Sequence, residues 1–133
     1  MCVLLPDNID KVLTINDWWD GPRLGLATFN KEICIFECIF SETEDDYTDL
    51  YHLTPIEEKE ANLILLDWNM WCKEMSLNPT VEASKAFQLK HKTDLPSIAA
   101  HSSNYHKYIK QAVFHGKIQN FYSCLEKFFV EWK

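Results

Sequence analysis

Residues 24–40 hold two short apolar runs broken by Asn30-Lys31-Glu32, and after residue 55 the apolar positions recur instead at steps of three and four. The first pattern predicts strands and the second helices, because side chains alternate faces along a strand and return to one face every ~3.6 residues along a helix. Leu24–Phe29 and Ile33–Phe40 read as a hairpin through Asn30-Lys31-Glu32, with Asn placed where a tight turn needs left-handed backbone. In its second strand Ile33, Ile35, Glu37 and Ile39 share one face, while Cys34, Phe36, Cys38 and Phe40 share the other. Both faces are apolar, which predicts a central strand covered on both sides. Val12–Ile15 and Leu50–Leu53 supply two further short strands.

Thr54-Pro55-Ile56-Glu57 has the marks of a helix start: Thr as N-cap, Pro at the first helical position and Glu three residues after the cap. The helix is expected to run to about Met75, with Ala61, Ile64, Trp68, Trp71 and Met75 as its seam. Thr80–Lys92 reads as a weaker helix, followed by a connector at Asp94-Leu95-Pro96. Ser97 or Ser102 then caps a helix ending near Gly116, with Tyr105, Ile109 and Ala112 on one face, and Ile118–Trp132 reads as another through Ile118, Phe121, Leu125, Phe128 and Trp132. The expected fold is therefore one α+β domain over residues 1–133: a small, mostly antiparallel sheet from residues 12–53 covered by three or four helices from residues 55–132.

Composition narrows the function more by exclusion than by indication. Apolar residues make up 47% of the 133 and aromatics 14%, with five Trp, which suits a packed core and argues against disorder. No apolar run is long enough to span a membrane, and the N-terminal residues lack the basic start of a signal peptide. Five cysteines, an odd number among apolar neighbours, point to reduced thiols and a cytoplasmic protein. Net charge is −7, divided unevenly: residues 1–84 hold 5 Lys/Arg against 17 Asp/Glu, and residues 85–133 hold 8 Lys against 3 Asp/Glu. Such a large acidic half disfavours nucleic acid, and the two halves pair internally, offer a basic face to an acidic partner, or form separate solvated faces.

The chemistry-bearing residues cluster early. Asp20-Gly21-Pro22-Arg23 is a turn, in which Gly21 admits positive φ and Pro22 fixes its own. Across the hairpin Arg23 approaches Glu37, a carboxylate in an apolar strand that needs a partner. With Asp17, Asp20 and Tyr47 the pair makes a candidate polar site; the alternative is a structural ion pair fixing the turn. Trp18 and Trp19 are adjacent in an extended segment, so one points outward and is a candidate partner anchor. Trp68 and Trp71, at helical spacing, read as core.

Metal and catalytic motifs do not emerge. Cys34 and Cys38 in one strand lie about 13 Å apart, too far for a shared ion. Cys38 with His52 lacks a local nucleophile motif, and His101 and His106 are five apart, not the helical four of a zinc pair. The acidic run Ser41–Asp49 lacks the glycine and ligand spacing of a calcium loop. No cofactor or metal is expected.

The run Trp19-Asp-Gly-Pro-Arg-Leu-Gly-Leu-Ala, followed by Phe36-Glu-Cys-Ile-Phe, Asp45-Asp-Tyr-Thr-Asp-Leu-Tyr and Leu53-Thr-Pro-Ile, resembles a group of short uncharacterised bacterial proteins with a W/Y-D-G-P-R-x-G-x-A pattern. The resemblance spans about residues 17–72, departs at Asn30-Lys31 where the group has Asn-Gly, and implies no activity. It draws attention to Trp19, Asp20, Arg23 and Glu37.

The resulting expectation is a non-catalytic intracellular protein-interaction module of inhibitor or accessory type, acting through Trp18, Trp19, the Asp20–Arg23 turn and the acidic loop. Two alternatives stand beside it. One is a small ligand-binding protein or enzyme, with Arg23 holding an anion and Glu37 as acid or base. The other is a homodimer through a helix face of Phe121, Phe128, Phe129 and Trp132.

Overall fold

The computed structural model describes residues 9–77, 80–90, 94–116 and 128–133. Six strands, β1 (Ile9–Trp18), β2 (Pro22–Phe29), β3 (Glu32–Ser41), β4 (Asp46–Pro55), β5 (Tyr108–His115) and β6 (Phe129–Trp132), pair antiparallel in chain order. The sheet then closes on itself: Ile9, Asp10 and Lys11 of β1 pair with Glu131, Val130 and Phe129 of β6. Closure gives the first and last strands of the meander a partner in each other over this short stretch. Helices α1 (Glu58–Leu77), α2 (Val81–Lys90) and α3 (Leu95–Ala100) lie between β4 and β5.

This overturns the expected α+β arrangement of a small open sheet at residues 12–53 covered by helices at residues 55–132. The sheet is a closed barrel, and residues 108–115 and 129–132 are its last two strands. Phe128 and Trp132, four residues apart, satisfy a helical step and a two-residue strand period equally well, and both are buried. Val130, fully buried between them, separates the readings, since on a helix it would lie on the opposite side. The helix face expected to form a dimer is not present at Phe129–Trp132, which are strand β6. Phe128 and Trp132 are barrel core, Phe129 is a half-buried strand residue, and Phe121 lies outside the described residues.

The barrel interior is filled by side chains. Phe36 of β3, Tyr51 of β4, Phe114 of β5 and Trp132 of β6 converge with ring centroids 5.7–6.3 Å apart, mostly edge-on or tilted. Such offset geometries suit the ring quadrupole. Val12, Ala27, Cys34, Leu53 and Val130 complete the packing, each wholly out of solvent. Trp132 donates its indole N–H to the carbonyl of Thr28 at 3.1 Å, so this buried donor is satisfied. Gly25 marks the tightest approach. A Cβ there would sit 2.1 Å from the Thr14 carbonyl oxygen and 2.8 Å from Cζ of Phe36.

A second apolar cluster lies between the outer face of β2–β3 and the helices. Leu26 and Ile35, cross-strand partners, pack with Ile64 of α1 and with Leu95 and Ala99 of α3. The predicted seam of Ala61, Ile64, Trp68, Trp71 and Met75 is the buried side of α1, joined by Cys72. Central strand β3 is covered on both faces for this reason. The helix start differs from expectation. Thr54 and Pro55 end β4, and the Thr54 hydroxyl accepts from the His106 backbone N–H at 3.2 Å instead of capping α1. Asp94, and not either serine, caps α3, its carboxylate accepting from the Ser97 N–H at 3.2 Å.

The β2–β3 connection is a two-residue turn, with Phe29 paired to Glu32 and Asn30 and Lys31 at φ +52° and +63°. Positive φ at both central positions is the primed geometry whose twist matches the flanking strands.

Candidate functional site

Two turns meet at one end of the barrel. Trp18 pairs with Pro22 to close β1–β2, and residues 42–45 join β3 to β4. In the first turn Asp20 has φ +53° and Gly21 φ +137°, and the Trp19 N–H donates to the Gly21 carbonyl at 3.0 Å. The Gly21 conformation suits a residue without Cβ, although an added Cβ would meet the Arg23 guanidinium only at ordinary contact distance.

Arg23 curls back over this turn. Its Nε donates to the Trp19 carbonyl at 2.7 Å and its Nη2 to the Asp20 carbonyl at 2.9 Å. Nη1 approaches Cys38 Sγ at 3.5 Å, and the guanidinium lies over the Tyr47 ring, 4.4 Å from its centre. One side chain thus ties the β1–β2 turn to the β3–β4 hairpin. Beneath it, the Tyr51 hydroxyl donates to the Pro22 carbonyl at 2.6 Å, and the Cys38 thiol donates to the Thr48 carbonyl at 3.2 Å. Burial, with Cys38 beside it, raises the Tyr51 pKa, so the phenol stays protonated as a donor.

The candidate polar site divides between the two faces of the sheet. Asp20, Arg23 and Tyr47 meet at the turn end. Glu37 is the cross-strand partner of Leu24, the neighbour of Arg23, and therefore projects from the opposite face. Arg23 and Glu37 form no ion pair among the described residues. Asp17 also pairs with Leu24, which puts it in the same row as Glu37 and, one strand further, His52. The same parity separates Cys38, which pairs with Tyr51, from His52, so they make no dyad. A one-residue difference in register decides all of these contacts.

What the turn end offers to solvent is aromatic and acidic. Trp19 is 71% exposed, Phe40 47% and Trp18 40%. Phe40 packs edge-on against Tyr47, ring centres 5.2 Å apart. Glu42, Glu44, Asp45 and Asp46 are exposed beside them.

A second constellation was not legible in the sequence. His52 of β4 and His106, which precedes β5, stack with ring centres 3.9 Å apart and planes 10° from parallel; Tyr105 lies 3.6 Å beyond His106. Nδ1 of His52 is buried without a hydrogen-bond partner. Burial lowers the His52 pKa and His106 lowers it further, while Glu37 opposes them. These residues are 54 positions apart, and no linear spacing announces the contact. His101 is elsewhere, with Nδ1 2.7 Å from the Ser97 carbonyl. An open cleft of about 300 Å³ is lined by Glu32, Glu57, Glu60 and His101–Asn104, acidic in character. Among the described residues no three His, Cys, Asp or Glu side chains are placed to hold a metal ion, and no helix is long and apolar enough to cross a membrane.

No protein-family model, curated protein or solved structure matches the chain.

Proposed function

We propose that this protein is a non-catalytic protein-interaction module acting inside the cell, and that it binds its partner through the barrel end bearing Trp18, Trp19 and Phe40. The observation that carries this reading is the exposure of three large aromatic side chains at one end of a barrel whose interior is packed. Exposed aromatics next to a polar rim are the anchors of protein interfaces. The neighbouring carboxylates of residues 42–46 favour a partner surface carrying Lys or Arg, which can also stack on the indoles. The buried, unbridged thiols of Cys34 and Cys38 support a reducing compartment. The ligand-binding alternative has less support, because Arg23 is engaged by backbone carbonyls and Glu37 faces away from it.

The test is affinity capture from the native cell with tagged wild-type and Trp19→Ala protein, each verified as folded by circular dichroism. One stoichiometric partner retained by the wild type and lost by the variant is the expected result. Equal capture by both would remove the rim from the interface.

A further inference from the structure

α1 carries a second apolar face, opposite the buried one. Leu63, Leu66, Met70 and Leu77 are 58%, 57%, 40% and 75% exposed. Their steps of three, four and seven place them at successive a and d positions of a heptad, a seam that a facing helix reads. The buried side at Ala61, Ile64, Trp68, Trp71 and Met75 already anchors the helix to the barrel. The exposed seam leaves much of its apolar surface in solvent.

The flanks of the seam select its occupant. Glu60, Asp67 and Glu74 recur every seven residues along one side, and Asn62, Asn69 and Ser76 along the other. Lys59 and Lys73 occupy the remaining d positions, and polar residues within a seam fix register. A second copy of α1 laid antiparallel would set the acidic row against itself. Laid parallel, it would set that row against the neutral one. Neither arrangement forms a flanking ion pair. We infer that the outer face of α1 is a docking surface for an amphipathic helix of a partner protein, with an apolar a/d seam and Lys or Arg along the flank that meets Glu60, Asp67 and Glu74. This surface is separate from the Trp18–Trp19 rim and does not depend on it.

The experiment uses the full chain, isotope-labelled, titrated with a three-heptad synthetic helix bearing Leu at a and d and Lys at e and g. A matched peptide with Glu at e and g is the control. The expected result is amide shift changes concentrated in residues 58–77 with the Lys peptide and about tenfold weaker binding of the Glu peptide. A Leu66→Asn/Met70→Asn variant with unchanged thermal unfolding should bind the Lys peptide about tenfold more weakly, and a Glu60→Gln/Asp67→Asn/Glu74→Gln variant should lose its salt dependence. Shifts centred on residues 41–49, or equal affinity for wild type and the Leu66/Met70 variant, would overturn the inference. So would a dimer seen by sedimentation and abolished by that variant, since a second copy would then be the occupant.

Discussion

The guanidinium carbon of Arg23 lies 4.4 Å from the centre of the Tyr47 ring, while Nε and Nη2 of the same group donate to the carbonyls of Trp19 and Asp20. The planar fork meets two carbonyls along its edge and presents its face to the ring, a combination that an ammonium cannot copy. The Asp-Gly-Pro-Arg motif is thereby explained as a turn with its own clasp. Gly21 adopts the backbone, Pro22 offers its carbonyl to Tyr51, and Arg23 binds the two carbonyls the turn leaves exposed.

Replacing Arg23 with Ala is expected to destabilise the protein by about 2–3 kcal/mol, and Lys should recover less than half of that. Urea denaturation measures both. A double-mutant cycle of Arg23 with Tyr47 should give a coupling of about 0.5–1 kcal/mol, and one with Glu37 a coupling below about 0.3 kcal/mol. A large Arg23–Glu37 coupling would contradict the opposite-face placement.

Lys31 holds φ +63° in the two-residue turn, where a side chain is disfavoured. Lys31→Gly should stabilise the protein by about 0.5–1 kcal/mol, visible as a higher denaturation midpoint at unchanged slope. Glycine relieves the left-handed backbone by more than its added freedom costs in the unfolded chain.

Gly25→Ala should cost about 3 kcal/mol or more, because the new methyl meets the Thr14 backbone and the Phe36 ring and neither can withdraw without opening the β1–β2 pairing. Far-ultraviolet circular dichroism and thermal melting are the readouts. Near-wild-type stability would show that the barrel wall yields more easily than its packing indicates.

His52 makes stability fall in mild acid. Its pKa in the folded protein is lowered from 6.5, so the unfolded chain takes up the proton first and stability declines as pH falls below 6.5. His52→Phe, which keeps a flat ring for His106, should flatten that decline, as urea midpoints across the pH range will show. In an NMR titration His52 should protonate at lower pH than a free imidazole.

Cys34 produces the opposite limb. Burial, with the carboxylates of Glu32 and Asp10 nearby, pushes its thiol up to about 12 from 9.0. The unfolded chain then loses the proton first as pH rises above 9.0, and stability declines from there toward 12. At pH 8 the native thiol should resist iodoacetamide while the urea-unfolded one is alkylated, as peptide mass mapping can resolve.

The sequence by itself determined the local elements whose signals are local. Residues 24–40 carry two short apolar runs and a turn residue at Asn30, and they form a hairpin because those features constrain neighbouring residues directly. The seam from Ala61 to Met75 forms one side of α1 for the same reason. Tertiary structure alone decided the rest. Whether Phe128 and Trp132 were one helix step or two strand steps apart depended on β1 waiting at Ile9–Lys11 to pair with β6, a contact across the whole chain. Arg23 and Glu37 lie on neighbouring strands, but register places them on opposite faces, and register is set by pairing, not by composition. His52 meets His106 because β4 and β5 pair across the helices that separate them in the chain. Short-range patterns fix the shape of an element. Closing the barrel, by satisfying the last strand's backbone and burying its apolar face together, fixed which residues share a surface.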